Sequence, residues 1–216
     1  MYDYAYLLDE YEEAAIESLL MDVDNATGNE IVVVTLVNLD EFNGDIDMAR
    51  YRYFNDIPLE GVTGIGKKEL NNGVLIIVAW DESEWGLEVG YGLEGELTDS
   101  ETGRIARKSI VPYFGEGDYY TGLFVCSALV AEEIGYDVER FDPGTGGDSG
   151  SSLIDVLLEE DPFYILYWLF SSGFDVAVVL IVILILLALF TGGGKFLRGV
   201  AGGGGRSGGG GASGRW

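Results

Sequence analysis

The sequence predicts an α/β fold: a three-layer α/β/α sandwich on a mixed sheet, followed by one C-terminal transmembrane helix. Three observations predict it. Two continuous apolar runs, Ile31–Val37 and Val74–Trp80, flank a helical pattern, the arrangement of a parallel βαβ unit buried on both faces. Beyond an acidic turn, Asp81–Glu84, the apolar residues Trp85, Leu87, Val89 and Tyr91 alternate with Gly86, Glu88 and Gly90, the period of a strand returning antiparallel. Val176–Phe190 is an uninterrupted apolar run of fifteen residues. With its flanks it reaches about 20 residues, the minimum for a bilayer span.

The other elements follow from local signals. Asp9 and Glu12 have the spacing of a capping box, and Ala15, Ile16, Leu19, Leu20 and Val23 then recur at helical spacing up to Gly28. Ile46, Ala49, Tyr53 and Ile57 line a second helix stopped by Pro58. Thr98 or Asp99 caps a third, with Ile105, Ala106 and Ile110 inward and Pro112 just past its end. A last helix from about Tyr119 to Ile134 places Leu123, Cys126 and Val130 on one face. Asp142–Ser152 reads as a Gly/Ser-rich linker and Gly199–Gly214 as a flexible low-complexity tail.

Composition excludes several functions. With no histidine there is no Ser-His-Asp or Cys-His unit, and the single cysteine allows neither an internal disulfide nor a zinc knuckle. Cys126 reads as a small core residue. A net charge of −25 argues against nucleic acid, which is bound by Lys and Arg displacing counterions from phosphate. The charge is divided. Residues 1–175 hold all 37 acidic and eight basic side chains, a net of −29, whereas residues 176–216 hold no acid and four bases. Phe163–Phe170 supplies the aromatic residues of a membrane interface, so a membrane anchor is expected. The positive-inside rule places the basic tail in the cytoplasm and the acidic domain outside. Met1-Tyr-Asp-Tyr4 is not a signal peptide. Either an upstream segment precedes it or the domain is cytosolic and tail-anchored; the first is preferred.

Two nucleotide-like motifs are rejected. Gly61-Val-Thr-Gly-Ile-Gly66-Lys67 matches a P-loop except that Lys68 stands where Ser or Thr should ligate magnesium, and it precedes a strand instead of following one. Gly90-Tyr-Gly-Leu-Glu-Gly95 matches GxGxxG, but Glu94 would meet the pyrophosphate. No nucleotide is expected.

Tyr4–Leu8, Thr27–Val34, Ile65–Lys67, Asn71–Leu75, Glu88–Gly95, Leu97–Asp99 and Gly117–Tyr119 together resemble the TPM domain, over residues 2–136. The ending Ala212-Ser-Gly-Arg-Trp216 resembles the close of the family's Gly-rich tails. The resemblance implies an α/β/α sandwich, divalent-metal binding in some members, weak acid phosphatase activity in others, and roles in assembling or repairing membrane complexes. The expected organisation is a TPM-like domain at 1–137, a linker and juxtamembrane segment at 138–162, an aromatic segment and transmembrane helix at 163–194, and a basic Gly-rich tail at 195–216.

The antiparallel return puts the end of one strand beside the start of its predecessor, gathering Asn71, Asn72, Gly92, Glu94 and Asp99 at one pole. Their oxygens are hard ligands suited to Ca²⁺ or Mg²⁺, so Glu94, Asp99 and Asn72 are the expected metal residues. The plainer alternative makes Asp99 a helix cap and Glu94 a solvated turn residue. The opposite pole collects Asp40, Asp81 and Asp118. Two functions are carried forward: a membrane-anchored, cation-binding module for a partner protein, and a metal-dependent phosphatase. The acidity suits either a high-salt environment or the attraction of cations and basic partners.

Overall fold

The computed structural model describes residues 1–141 and 210–216. Five strands form one mixed sheet in the order β1 (Tyr2–Asp3), β2 (Glu30–Leu36), β3 (Gly73–Ala79), β4 (Glu84–Val89), β5 (Gly210–Arg215). The first three are mutually parallel, and β4 runs antiparallel to both of its neighbours, β3 and β5. The expected parallel βαβ unit is therefore β2, α2 (Ile46–Asn55) and β3, and the expected hairpin is β3–β4.

Alternation along the strands divides the core. Ile31, Val33, Val74, Ile76, Val78, Trp85, Leu87 and Val89 face the larger side, against α1 (Glu10–Thr27), α3 (Asp99–Lys108), α4 (Ile110–Gly115) and α5 (Tyr119–Glu133). Val32, Val34, Leu36, Leu75, Ile77 and Ala79 face the other side, against α2 and a short 3₁₀ turn, Asp40–Phe42. Helices thus cover both faces of the sheet.

Local signals act as expected at most helix ends. Asp9 and Glu12 form the reciprocal capping box, and Gly28 ends α1 in the left-handed conformation, φ 77°. Thr98, not Asp99, is the cap of α3, again with a reciprocal glutamate, Glu101. Pro112 lies inside α4, in the first turn, where its missing N–H leaves no intrahelical bond unmade. Ile57 lies outside α2.

The tail departs from expectation. Gly210–Arg215, expected to be flexible, pairs with the whole length of β4, Val89↔Gly210 through Glu84↔Arg215. Glycine-rich sequence reads as disorder because it offers no side chains to bury. Here the missing side chains are what permit the approach, as the site geometry makes plain. Among the described residues no helix is long and apolar enough to cross a membrane; Val176–Phe190, the linker and the aromatic segment lie outside them.

Candidate functional site: the outer edge of β4

Glu94 and Asp99 converge, as expected. Glu94 lies in the turn leaving β4, and Asp99 opens α3 one residue after its cap. A Cβ placed on Gly210 would stand 3.2 Å from Asp99 Oδ1 and 3.2 Å from Glu94 Cγ, so both line the same spot. Each carboxylate accepts a tail backbone N–H: Glu94 Oε1 from Gly210 (3.0 Å) and Asp99 Oδ1 from Gly211 (2.7 Å).

Asn72 does not join them. It is buried, and its side chain reaches to the start of β2. There Oδ1 accepts from Lys67 N (2.8 Å), while Nδ2 donates to Gly28 O (2.7 Å) and Asn29 Oδ1 (3.2 Å). Asn71 does lie beside the turn after β4, its carbonyl accepting from Gly92 N at 3.0 Å. A Cβ on Gly90 would fall 2.2 Å from Asn71 O and one on Gly92 2.0 Å from Leu70 O, so the first two glycines of the GxGxxG pattern serve chain packing, whereas Gly95 faces open space. Lys67 of the P-loop-like run is likewise engaged, donating to Gly28 O at the end of α1 (2.9 Å) and lying 3.6 Å from Asp24. At the opposite pole Asp118 caps α5 through Thr121 N, and Asp81 N donates to Val37 O.

Glu88 was not singled out as a site residue. It is 4% exposed, lies on the α2 side of β4 and is opposite Gly211. Its Oε2 pairs with Arg50 Nη1 at 2.6 Å; Arg50 also donates to Leu87 O and pairs with Asp47 at 2.9 Å. Burial pushes the Glu88 carboxyl up to about 7. Arg50 opposes the shift, and the charges of Asp47, Asp99 and Glu94 add to it. Glu88 stands at the polar position of the alternating strand, and the available signal was the apolar residues facing that side from β3, Leu75 and Ile77, which mark that face as covered too. The Cys126 thiol is fully buried and pushed up to about 12 by that burial, which removes it as a nucleophile.

The rest of the edge holds the end of the tail. Arg215 pairs with Glu84 (2.7 Å), Trp216 N donates to Ser83 O (3.2 Å), and the indole meets Phe114 edge to face at 4.8 Å. Ala212 packs into the larger core. A shallow cleft of about 410 Å³ lies alongside, lined by Asp45, Asp47 and Glu84 from the domain and by Ser213–Arg215.

With this geometry in place, the comparison with known proteins is direct. The TPM domain profile matches residues 1–132. The chain belongs to the TPM domain family. Solved structures similar to it include the N-terminal domain of a P. gingivalis protein, 27% identical, with TM-score 0.49, covering 61% of this chain and 78% of that one. An N-terminal domain from Corynebacterium glutamicum is 16% identical, with TM-score 0.45, covering 65% and 81%. A protein from the psychrophilic bacterium Bizionia argentinensis is 22% identical, with TM-score 0.44, covering 63% and 90%. No curated protein matches the sequence.

Two expected outcomes follow for this TPM domain. Between the ordinary carboxyl value of 4.5 and about 7, folded Glu88 keeps a proton that the unfolded chain has released. Its contribution is therefore full below 4.5 and is lost as pH rises through about 7. Glu88→Gln should flatten the fall in Tm between about pH 5 and about pH 8, and parallel profiles would mean that Glu88 is charged throughout. Asn72→Ala should cost about 1–3 kcal/mol in thermal or urea unfolding, equally with calcium and with EDTA. A loss that grows when calcium is present would restore Asn72 to the ligand set.

Proposed function

We propose that the protein is a membrane-anchored TPM module that acts by binding partner proteins in the assembly, repair or quality control of membrane complexes. The observation that carries this reading is the use of the two converged carboxylates: Glu94 and Asp99 hold the backbone N–H groups of an extended peptide, an arrangement for binding a chain by strand addition. The anchor is Val176–Phe190. A single crossing by that segment would part the basic tail, in the cytoplasm, from the acidic domain outside. Pairing of β5 with β4 needs both on one side, so the crossed form is the one with the tail undocked.

A divalent cation, Ca²⁺ or Mg²⁺, is proposed at Glu94 and Asp99. Two like charges at one spot repel, and a cation offsets that repulsion as the tail N–H groups do. Among the described residues no cluster of three or more acidic, Cys or His side chains is placed to hold a metal ion, so this site needs solvent or backbone oxygens as well. The second reading, a metal-dependent phosphatase, is favoured by the same two carboxylates.

Calcium at a hundredfold excess over Kd should stabilise the folded state by about 2.7 kcal/mol, seen as a rise of several degrees in Tm. Asp99→Asn keeps the fold, because Thr98 is the helix cap, and should lose most of that rise. Equal shifts in both proteins, or none in either, would remove the cation from Glu94 and Asp99. Metal-dependent hydrolysis of an aryl phosphate that Asp99→Asn and EDTA both abolish would replace the binding reading with the phosphatase.

A further inference from the structure

The tail segment is held by more than generic strand pairing, and each of its positions meets a different constraint. A Cβ on Gly211 would fall 2.2 Å from Arg50 Nη1 and 2.2 Å from Leu87 O. The second atom belongs to the backbone of β4 and cannot move aside. A Cβ on Gly214 would fall 2.7 Å from the ring of Trp85, which is 2% exposed. Only glycine fits at either position. Ala212 lies between them in the larger core and over bare Gly103 of α3, where an added Cβ would be 3.5 Å from that of Ala212, so the position takes a small apolar side chain. Ser213 borders the open cleft and is not selected. Arg215 meets Glu84 in a cleft that Asp45 and Asp47 also line. Trp216 sets its ring against Phe114.

We propose that the outer edge of β4 is a sequence-selective docking site for a C-terminal peptide of the form Gly-Ala-X-Gly-Arg-Trp, and that its ligand in trans is the C-terminal segment of a second copy of this chain. The inference rests on reading this edge as the partner-binding surface and names what it binds. Exchange between copies makes the same contacts as the docked tail, so it has no enthalpic cost at the site. Residues 142–209 separate the own tail from the domain, and a longer tether lowers its effective concentration at the edge. Exchange takes place among uncrossed copies, in which domain and tail lie on one side of the membrane.

The test uses the full chain in detergent micelles with Gly211→Val and Gly214→Val together, which disables the protein's own tail and leaves the edge of β4 unaltered. Trp216→Ala is a second, milder variant that keeps both glycines. The probe is the fluorescent peptide Gly-Gly-Ala-Ser-Gly-Arg-Trp, followed by anisotropy. Both variants should bind it saturably, and the wild-type chain at least about tenfold more weakly because its site is filled. A control peptide with valine at both glycine positions should bind the double variant at least about tenfold more weakly than the probe. The tagged double variant should also capture wild-type chain but not a second double variant. Absence of probe binding to either variant, or equal binding of the two peptides, overturns the site. Equal binding by wild type and variants overturns occupancy by the own tail. Probe binding without capture of wild-type chain overturns the second copy as the source. None of these results alters the calcium and hydrolysis outcomes, so the two readings fail separately.

Discussion

The backbone of β4 is the constraint on which the rest depends. Its residues Trp85–Val89 are all buried, so each N–H and C=O on both edges needs a hydrogen-bond partner. β3 satisfies one edge. The other would be an open sheet edge, a template for uncontrolled pairing, and β5 closes it over six residue pairs. The tail is therefore part of the sheet, although residues 142–209 separate it from the domain in sequence.

Charge placement around that edge follows from the same pairing. A chain carrying −25 concentrates further repulsion where Asp47, Glu88, Glu94 and Asp99 approach one another. Four features of the edge offset it: Arg50 between Asp47 and Glu88, Arg215 on Glu84, and the N–H dipoles of Gly210 and Gly211 on Glu94 and Asp99. Two of the four come from β5 main chain and a third from its side chain. Glu88 lies behind this layer, and burial holds part of its population protonated near neutrality. The edge thus combines a strand template, an acidic rim and an aromatic stop, the elements of peptide recognition by strand addition.

Much of the fold was legible because its signals are local. Continuous apolar runs gave β2 and β3, alternation gave β4, and a capping box at Asp9 and a cap at Thr98 or Asp99 marked α1 and α3. Convergence of Glu94 and Asp99 was legible from topology alone, since an antiparallel return must bring its exit to its predecessor's start. Asn72 was misjudged at the level of the side chain: its position in the chain was right, but three hydrogen bonds turn it toward Gly28, Asn29 and Lys67. β1, two residues long, is too short for any periodicity. β5 was illegible for a different reason. Its glycines are fixed by what β4 and α2 present to them, Leu87 O, Arg50 and Trp85, and no pattern within the tail records that distant surface.

Amide hydrogen exchange on the full chain tests the pairing of β5 with β4 most directly. Exchange in Gly210–Trp216 should be slow and should rise together with that of β4 when Gly211→Val and Gly214→Val are introduced. Exchange of Gly210–Trp216 at the rate of an unstructured chain, with β4 equally protected in both proteins, would contradict the account.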